Sequence, residues 1–258
     1  MTLEKRRATL AAGTIDYLVA GAGEPLLCLH TSGGPYWTPL IASLAATRRI
    51  YLPVLPGFDG SPMLANVSTF TDLADLAADF ARTVIGGDPV DVFGASFGGR
   101  IALWMAARSP EVVGRLVLEA PAGVALGALP LALDRQAMIA GLFAYPEKAA
   151  GLRPSDAIAA SNGVAFRAYG GTLAVDEALV ALLPGIEAHT LVVMGTLDVI
   201  TPPQAGWTLA ATMPHVNLSY VYDAAHAVQV DQSEAMLRLV RPFFDKGPAF
   251  IVASREYA

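Results

Sequence analysis

A serine hydroxyl becomes a useful nucleophile at neutral pH when a histidine takes its proton and a carboxylate orients that histidine. The chain offers such a set. Ser96 lies in Gly94-Ala95-Ser96-Phe97-Gly98, between the apolar run Val90-Asp91-Val92-Phe93 and a helix-forming run from Ile101 to Arg108 that Ser109-Pro110 stops. A strand-to-helix reversal this tight strains the backbone of the central serine. Only residues without bulk fit two positions to either side, which Gly94 and Gly98 supply. The turn lifts the hydroxyl to a helix N-terminus, where unpaired N–H groups stabilise negative charge.

Four histidines could serve as base: His30, His189, His215 and His226. His30 ends an apolar run before a glycine turn and is expected to organise that turn. His189 directly precedes a strand, and His215 follows Pro214 in a surface connection. His226, in Asp223-Ala224-Ala225-His226, follows the last sheet strand. In a parallel sheet the C-terminal strand ends form the ligand crevice, so His226 and Ser96 share an edge. Asp198, in Met194-Gly195-Thr196-Leu197-Asp198, lies just beyond another strand at that edge and completes the order Ser…Asp…His. Asp223 and Asp231 compete, but Asp223 sits on the histidine's own loop and Asp231 leads into the next helix. Acyl transfer also needs two donors aimed at the developing oxyanion. One is the N–H of Phe97. The other is expected from His30-Thr31-Ser32-Gly33-Gly34, with Ser32 favoured and Thr31 or Gly33 as alternatives.

The elements that must position these groups alternate along the chain. An N-terminal hairpin turns at Gly13, and strands are predicted at Leu26 to Leu29, Arg49 to Leu55, Val90 to Phe93, Leu116 to Glu119, Leu191 to Met194 and Leu218 to Val221. Helices carry apolar stripes at Trp37, Leu40, Ile41 and Leu44 and, capped by Thr71, at Leu73, Leu76, Ala77 and Phe80. Two more are predicted over 203–213 and 233–244. Such alternation implies an α/β fold, a mostly parallel sheet with helices on both faces. It lapses after Pro121, where short helical pieces are broken at Pro130, Pro146, Pro154, Gly163 and Gly170-Gly171. The expected organisation is a core of 1–120 and 185–258 and an inserted helical cap over 121–184. The tail from Lys246 onward is unassigned, with Phe250-Ile251-Val252 able to pack or pair.

Composition narrows the partners. A net charge of −6 argues against nucleic acid and anionic membranes. The one cysteine, Cys28, sits in an apolar run and allows neither an internal disulfide nor a cysteine metal cluster. Lys5-Arg6-Arg7 precedes an Ala-rich stretch that Asp16 interrupts, so export is not expected, and no apolar run reaches the ~18 residues of a membrane span. The longest, Ala122 to Leu133, stops at Asp134-Arg135. A cytoplasmic protein with a small apolar substrate is expected; homo-oligomerisation is left open.

Together, Leu27-Cys28-Leu29-His30, Leu55-Pro56-Gly57-Phe58, Gly94-Ala95-Ser96-Phe97-Gly98-Gly99, Gly195-Thr196-Leu197-Asp198 and Ala225-His226 resemble the α/β-hydrolase fold family. The resemblance runs from about Ile15 to Phe244. It departs from the usual pattern at Thr31, Val54 and Ala225, where the family commonly has Gly, Asp and Gly. It implies a two-step mechanism without metal or organic cofactor: Ser96 attacks a carbonyl while His226 takes its proton, and water activated by His226 then hydrolyses the acyl-enzyme. The expected substrate is a small apolar ester, lactone or related carbonyl compound. Carbon–carbon hydrolysis of aromatic ring-cleavage dienoates is the near alternative, because His30-Thr31-Ser32-Gly33-Gly34-Pro35 loosely resembles the corresponding turn of those enzymes. A cofactor-free lyase, a perhydrolase and a ligand receptor use the same scaffold. In such an architecture the cap roofs the pocket, with Leu142 and Phe143 among its apolar residues and Trp37 and Phe97 as further walls. Arg135, Arg153 and Arg167 are the cations that could meet a substrate carboxylate.

Overall fold

A computed structural model describes residues 2–86, 89–124, 135–247 and 249. Among these, eight strands form one sheet: Glu4–Leu10 (β1), Gly13–Ala20 (β2), Pro25–Leu29 (β3), Arg49–Pro53 (β4), Val90–Ala95 (β5), Val113–Glu119 (β6), Thr190–Gly195 (β7) and Val216–Val221 (β8). Their spatial order is β1-β2-β4-β3-β5-β6-β7-β8. The hairpin β1–β2 and the β2–β4 pair are antiparallel, and every pairing from β4 to β8 is parallel. Sequential right-handed crossovers build such a sheet, and they bring the C-terminal ends of β3, β5, β6, β7 and β8 to one edge.

All residues of β5 and β7 are buried, as continuous apolar strands covered on both faces must be. Helices Pro39–Leu44 (α1) and Ser233–Lys246 (α9) close one face over Leu26, Cys28, Phe93, Val117 and Val193. Helices Phe70–Phe80 (α2), Phe97–Arg108 (α3) and Gln204–Thr212 (α7) close the other over Leu27, Leu29, Val92, Leu118 and Val192. The α2 cap is Thr69 rather than Thr71. The Thr69 hydroxyl accepts from Asp72 N and the Asp72 carboxylate accepts from Thr69 N, a reciprocal box that leaves Thr71 inside the first turn. After Phe80 the helix continues as a π turn over Ala81–Ile85.

Between β6 and β7 the described chain is helical, as the broken pattern predicts: Arg135–Leu142 (α4), Asp156–Ala168 (α5) and Glu177–Leu182 (α6), with 3₁₀ turns at Pro146–Leu152 and Leu183–Gly185. Most of the apolar run from Ala122 to Leu133 and the segment Phe250-Ile251-Val252 lie outside the described residues.

This insertion is fastened at three places. Asp176, the N-cap of α6, accepts from Arg100 Nε (3.1 Å) and Nη2 (2.7 Å) and from Trp104 Nε1 (2.8 Å) of α3. Asn162 on α5 donates to the Gly33 carbonyl (2.5 Å) and accepts from Asp59 N (2.9 Å). Asp231, fully buried at the end of the short helix Val228–Asp231 (α8), accepts from Ala144 N (2.9 Å) and Tyr145 N (3.1 Å) of the insertion and from Ala225 N (2.9 Å) beside His226. Asp231 is thus committed to backbone N–H groups, and the carboxylate that meets the His226 ring is that of Asp198. No described helix is long and apolar enough to cross a membrane.

Candidate active site

From Val90 to Ala106 every residue is buried except Ser96, which is half-exposed. Its backbone has φ 52° and ψ −110°, the strained left-handed geometry that lifts one side chain out of the strand–helix junction. Ser96 N donates to the Glu119 carbonyl (2.8 Å), while the Ser96 carbonyl accepts from Arg100 N (3.1 Å) and Ala122 N (3.0 Å). The turn is therefore held from both sides. Gly98 is required by contact: a Cβ there would stand 2.1 Å from the Leu29 carbonyl oxygen and 2.7 Å from that of His30. The end of β3 and the turn after it consequently lie directly against the first turn of α3.

In that turn, Gly33 N donates to Thr31 Oγ1 (3.2 Å) and Gly34 N to the Thr31 carbonyl (3.1 Å). Gly33, one alternative oxyanion donor, is thereby occupied within the turn, and the Ser32 N–H stands outside these two bonds. The Gly33 carbonyl is gripped by Tyr36 Oη (2.6 Å) as well as by Asn162, which fixes the orientation of the peptides around it. His30 is buried; its Nδ1–H donates to the Thr31 carbonyl (2.6 Å) and its Nε2 accepts from Leu55 N (3.1 Å). Burial pushes its pKa down to about 4 against the Thr31 carbonyl's opposite pull, so it is a neutral brace for the turn. Phe97 presents its N–H at the first helical position, and its ring is buried against Phe58, Phe70, Phe166 and Tyr169.

Asp198 and His226 meet across the ends of β7 and β8. His226 Nδ1 lies 2.9 Å from Asp198 Oδ2, and the other carboxylate oxygen accepts from Ile200 N (2.8 Å) and Thr201 N (2.9 Å). Both side chains are at least 95% buried. The ring therefore carries its proton on Nδ1 and leaves Nε2 as an acceptor. Burial resists charge on His226, and the Asp198 charge and hydrogen bond, helped by Glu119, outweigh it and raise its pKa. Gly195 lets the two loops touch: a Cβ there would lie 2.2 Å from the Ala225 carbonyl oxygen. Ala225 N is tied to Asp231 and Ala227 N to the Leu142 carbonyl (2.9 Å), so the loop carrying His226 is clamped on both of its flanks.

His189 and His215 lie together near the opposite, N-terminal edge of the sheet, their rings 4.9 Å apart. Trp37 is half-buried against the α1–α9 cluster. Leu142 and Phe143 are half-buried at the end of α4, beside the base loop that Leu142 contacts. Arg153 is exposed and donates to the Pro146 carbonyl, and Arg167 is exposed on α5. Sequence reasoning missed Glu119, a 1%-exposed carboxyl at the end of β6 that accepts from Gln229 N (2.8 Å) and Gln229 Nε2 (2.5 Å). An acid directly after the apolar run Leu116-Val117-Leu118 was the available signal. Among the described residues no group of three or more side chains could hold a metal ion.

Residues 26–239 match the model of the alpha/beta hydrolase family. The chain is 32% identical to a 2-hydroxymuconate semialdehyde hydrolase of Pseudomonas putida, over 94% of this chain and 95% of that protein. It is 30% identical to a pimeloyl-[acyl-carrier protein] methyl ester esterase of Neisseria meningitidis serogroup B, over 81% of this chain and 87% of that one. Among solved structures, a thermophilic esterase from Thermogutta terrifontis superposes with a TM-score of 0.78 at 24% identity, covering 94% of this chain and 98% of the other, a likeness of fold.

Proposed function

The chain belongs to the alpha/beta hydrolase family, and from that premise we propose that it is a serine hydrolase that cleaves a small apolar ester or related carbonyl compound through an acyl-enzyme on Ser96. The observation that carries the reading is the His226–Asp198 pair: a ring held by its Nδ1, with Nε2 left to accept a proton, on the same sheet edge as the one accessible residue of the 90–106 stretch. In the first step His226 takes the Ser96 proton as Oγ attacks the carbonyl carbon. The oxyanion is met by the N–H groups of Phe97 and Ser32, and the imidazolium is stabilised by Asp198. His226 then returns the proton to the leaving group. Water, deprotonated by the same ring, releases the acid from Ser96. The helical insertion over 121–184 is read as the pocket roof, with Leu142 and Phe143 as apolar lining.

A second reading has its own support. The Pseudomonas putida relative, similar over nearly its whole length, is named a 2-hydroxymuconate semialdehyde hydrolase, so a ring-cleavage dienoate is the competing substrate. A dienoate carries a carboxylate, whose burial calls for a cation. Among the described candidates, Arg153 and Arg167 are exposed and Arg100 is bound to Asp176; the side chain of Arg135 lies outside the described residues, so the cation requirement does not choose between the two substrates. The deciding experiment treats wild type and Ser96→Ala with a fluorophosphonate probe, p-nitrophenyl esters of graded chain length and a panel of 2-hydroxy-6-oxo-dienoates. We expect labelling at Ser96, ester turnover, and a loss of at least ~10³-fold in the variant. Labelling that persists in Ser96→Ala sinks the nucleophile, and turnover of dienoates alone sinks the ester.

A further inference from the structure

Glu119 is a buried carboxyl that the mechanism above does not use. It touches the machinery at two points. Its backbone carbonyl receives the Ser96 N–H, and its side chain receives both the backbone N–H and the side-chain amide of Gln229, three residues after His226. The Gln229 amide oxygen in turn accepts from Thr38 Oγ1 (2.8 Å), and Thr38 caps α1 immediately after the oxyanion turn. One buried chain of hydrogen bonds thus runs from the nucleophile's strand through Gln229, in the helix after His226, to the N-cap of α1 that follows the 30–34 turn.

From this geometry we infer that Glu119 is a positioning residue that holds the His226 loop in register with Ser96 and, through its charge, tunes the basicity of His226. The inference rests on the reading of Ser96 and His226 as nucleophile and base. The ionisable groups that face Glu119 are His226, from the loop after β8, and Asp198, from the loop after β7; those that face His226 are Asp198 and Glu119. Burial pushes the Glu119 pKa up to about 7, against the Gln229 N–H, His226 and the Gln229 amide, which favour its ionised form. The coupling is reciprocal: a carboxylate at 119 favours imidazolium at 226, and imidazolium favours the carboxylate. Proton uptake by His226 during attack on the substrate is then supported by two acids, one bonded to the ring and one acting through space.

The test follows the rate of Ser96 labelling by a fluorophosphonate probe between pH 5 and 9, which needs no knowledge of the natural substrate. Glu119→Gln keeps the shape and, with the Gln229 amide turned over, keeps both bonds between 119 and 229, while Thr38 Oγ1 changes from donor to acceptor toward Gln229. We expect its acid-limb midpoint to fall by roughly half a pH unit, because Glu119 is charged over only part of that range, and its plateau rate to fall roughly 3- to 10-fold. Gln229→Met removes one donor that favours the Glu119 carboxylate. It is expected to move the midpoint the same way by less, and it carries the test if Glu119→Gln folds poorly. Midpoints equal to wild type in both variants overturn the inference. Ser96→Ala is run in parallel: labelling that survives there overturns the nucleophile instead, so the two failures are told apart.

Discussion

Replacing Asp231 should loosen the insertion and the base loop together. Its carboxylate accepts three backbone N–H groups, two from Ala144 and Tyr145 and one from Ala225, and the residue has no exposed surface. Hydrogen bonds to a charged group contribute about 1.5–3 kcal/mol each, and a buried donor left bare costs about 1–3 kcal/mol. Ala144 and Tyr145 are half-buried and regain some water, whereas Ala225 is buried. For Asp231→Ala this sums to roughly 3–6 kcal/mol, a large part of the ~5–15 kcal/mol that holds a typical domain together. Asp231→Asn fares only somewhat better. Its single oxygen can serve Ala144 and Ala225, but its NH₂ then confronts the Tyr145 N–H, and the loss is about 2–4 kcal/mol. For a chain of this size these losses lower the melting temperature by about 6–12 °C and about 4–8 °C respectively. Thermal unfolding by circular dichroism reads the totals, and amide hydrogen exchange at 144, 145 and 225 reads the place. A drop under ~2 °C with unchanged protection at those amides would refute the reasoning.

Two further outcomes follow from the site. Gly98→Ala places a methyl 2.1 Å from the Leu29 carbonyl oxygen, so α3 and the oxyanion strand must part. Esterase turnover should fall at least ~10²-fold in any soluble product, and near-native activity would count against the close packing of these elements. The pH dependence of stability should change shape in Glu119→Gln. His30, with its pKa lowered to about 4, leaves the folded state unable to take a proton that the unfolded chain takes below about 6.5, so its contribution is lost as pH falls. Glu119, raised to about 7, keeps a proton that the unfolded chain has released above about 4.3, so its contribution is lost as pH rises through that window. The two slopes oppose each other in wild type. Unfolding free energies from denaturant titrations at pH 5, 6 and 7 should rise with pH more steeply in Glu119→Gln, by about 2 kcal/mol across the range, and parallel curves would contradict the opposition.

The sheet and the strand-end turns were legible because their signals are local. Apolar runs mark β3, β5 and β7, and Gly94 and Gly98 bracket Ser96 in a pattern that only a strand-to-helix reversal needs. Asp198 and His226 could be placed at one edge because parallel strands put their C-terminal ends together. The Thr71 cap was misplaced by two residues because Thr69 and Thr71 both suit an N-cap, and only Asp72, reaching back to Thr69, decides between them. What stayed hidden was pairing at long range. Glu119 and Gln229 are 110 residues apart, Asn162 and Gly33 are 129 apart, and Arg100 and Asp176 are 76 apart. Neither half of any of these pairs announces its partner until the fold supplies it.

The three fastenings of the insertion bear on how molecules enter and leave. A swing of α5 and α6 away from the sheet breaks the bonds of Asn162 to Gly33 and Asp59 and those of Asp176 to Arg100 and Trp104, and a swing that includes residues 144–145 also breaks those of Asp231. At about 0.5–1.5 kcal/mol net for each bond, a swing that breaks all of them costs on the order of 4–10 kcal/mol, so fewer than about one molecule in a thousand stands open at any moment. The described helices of the insertion therefore stay on the sheet nearly all of the time, and Ser96 must be reached without their lifting together.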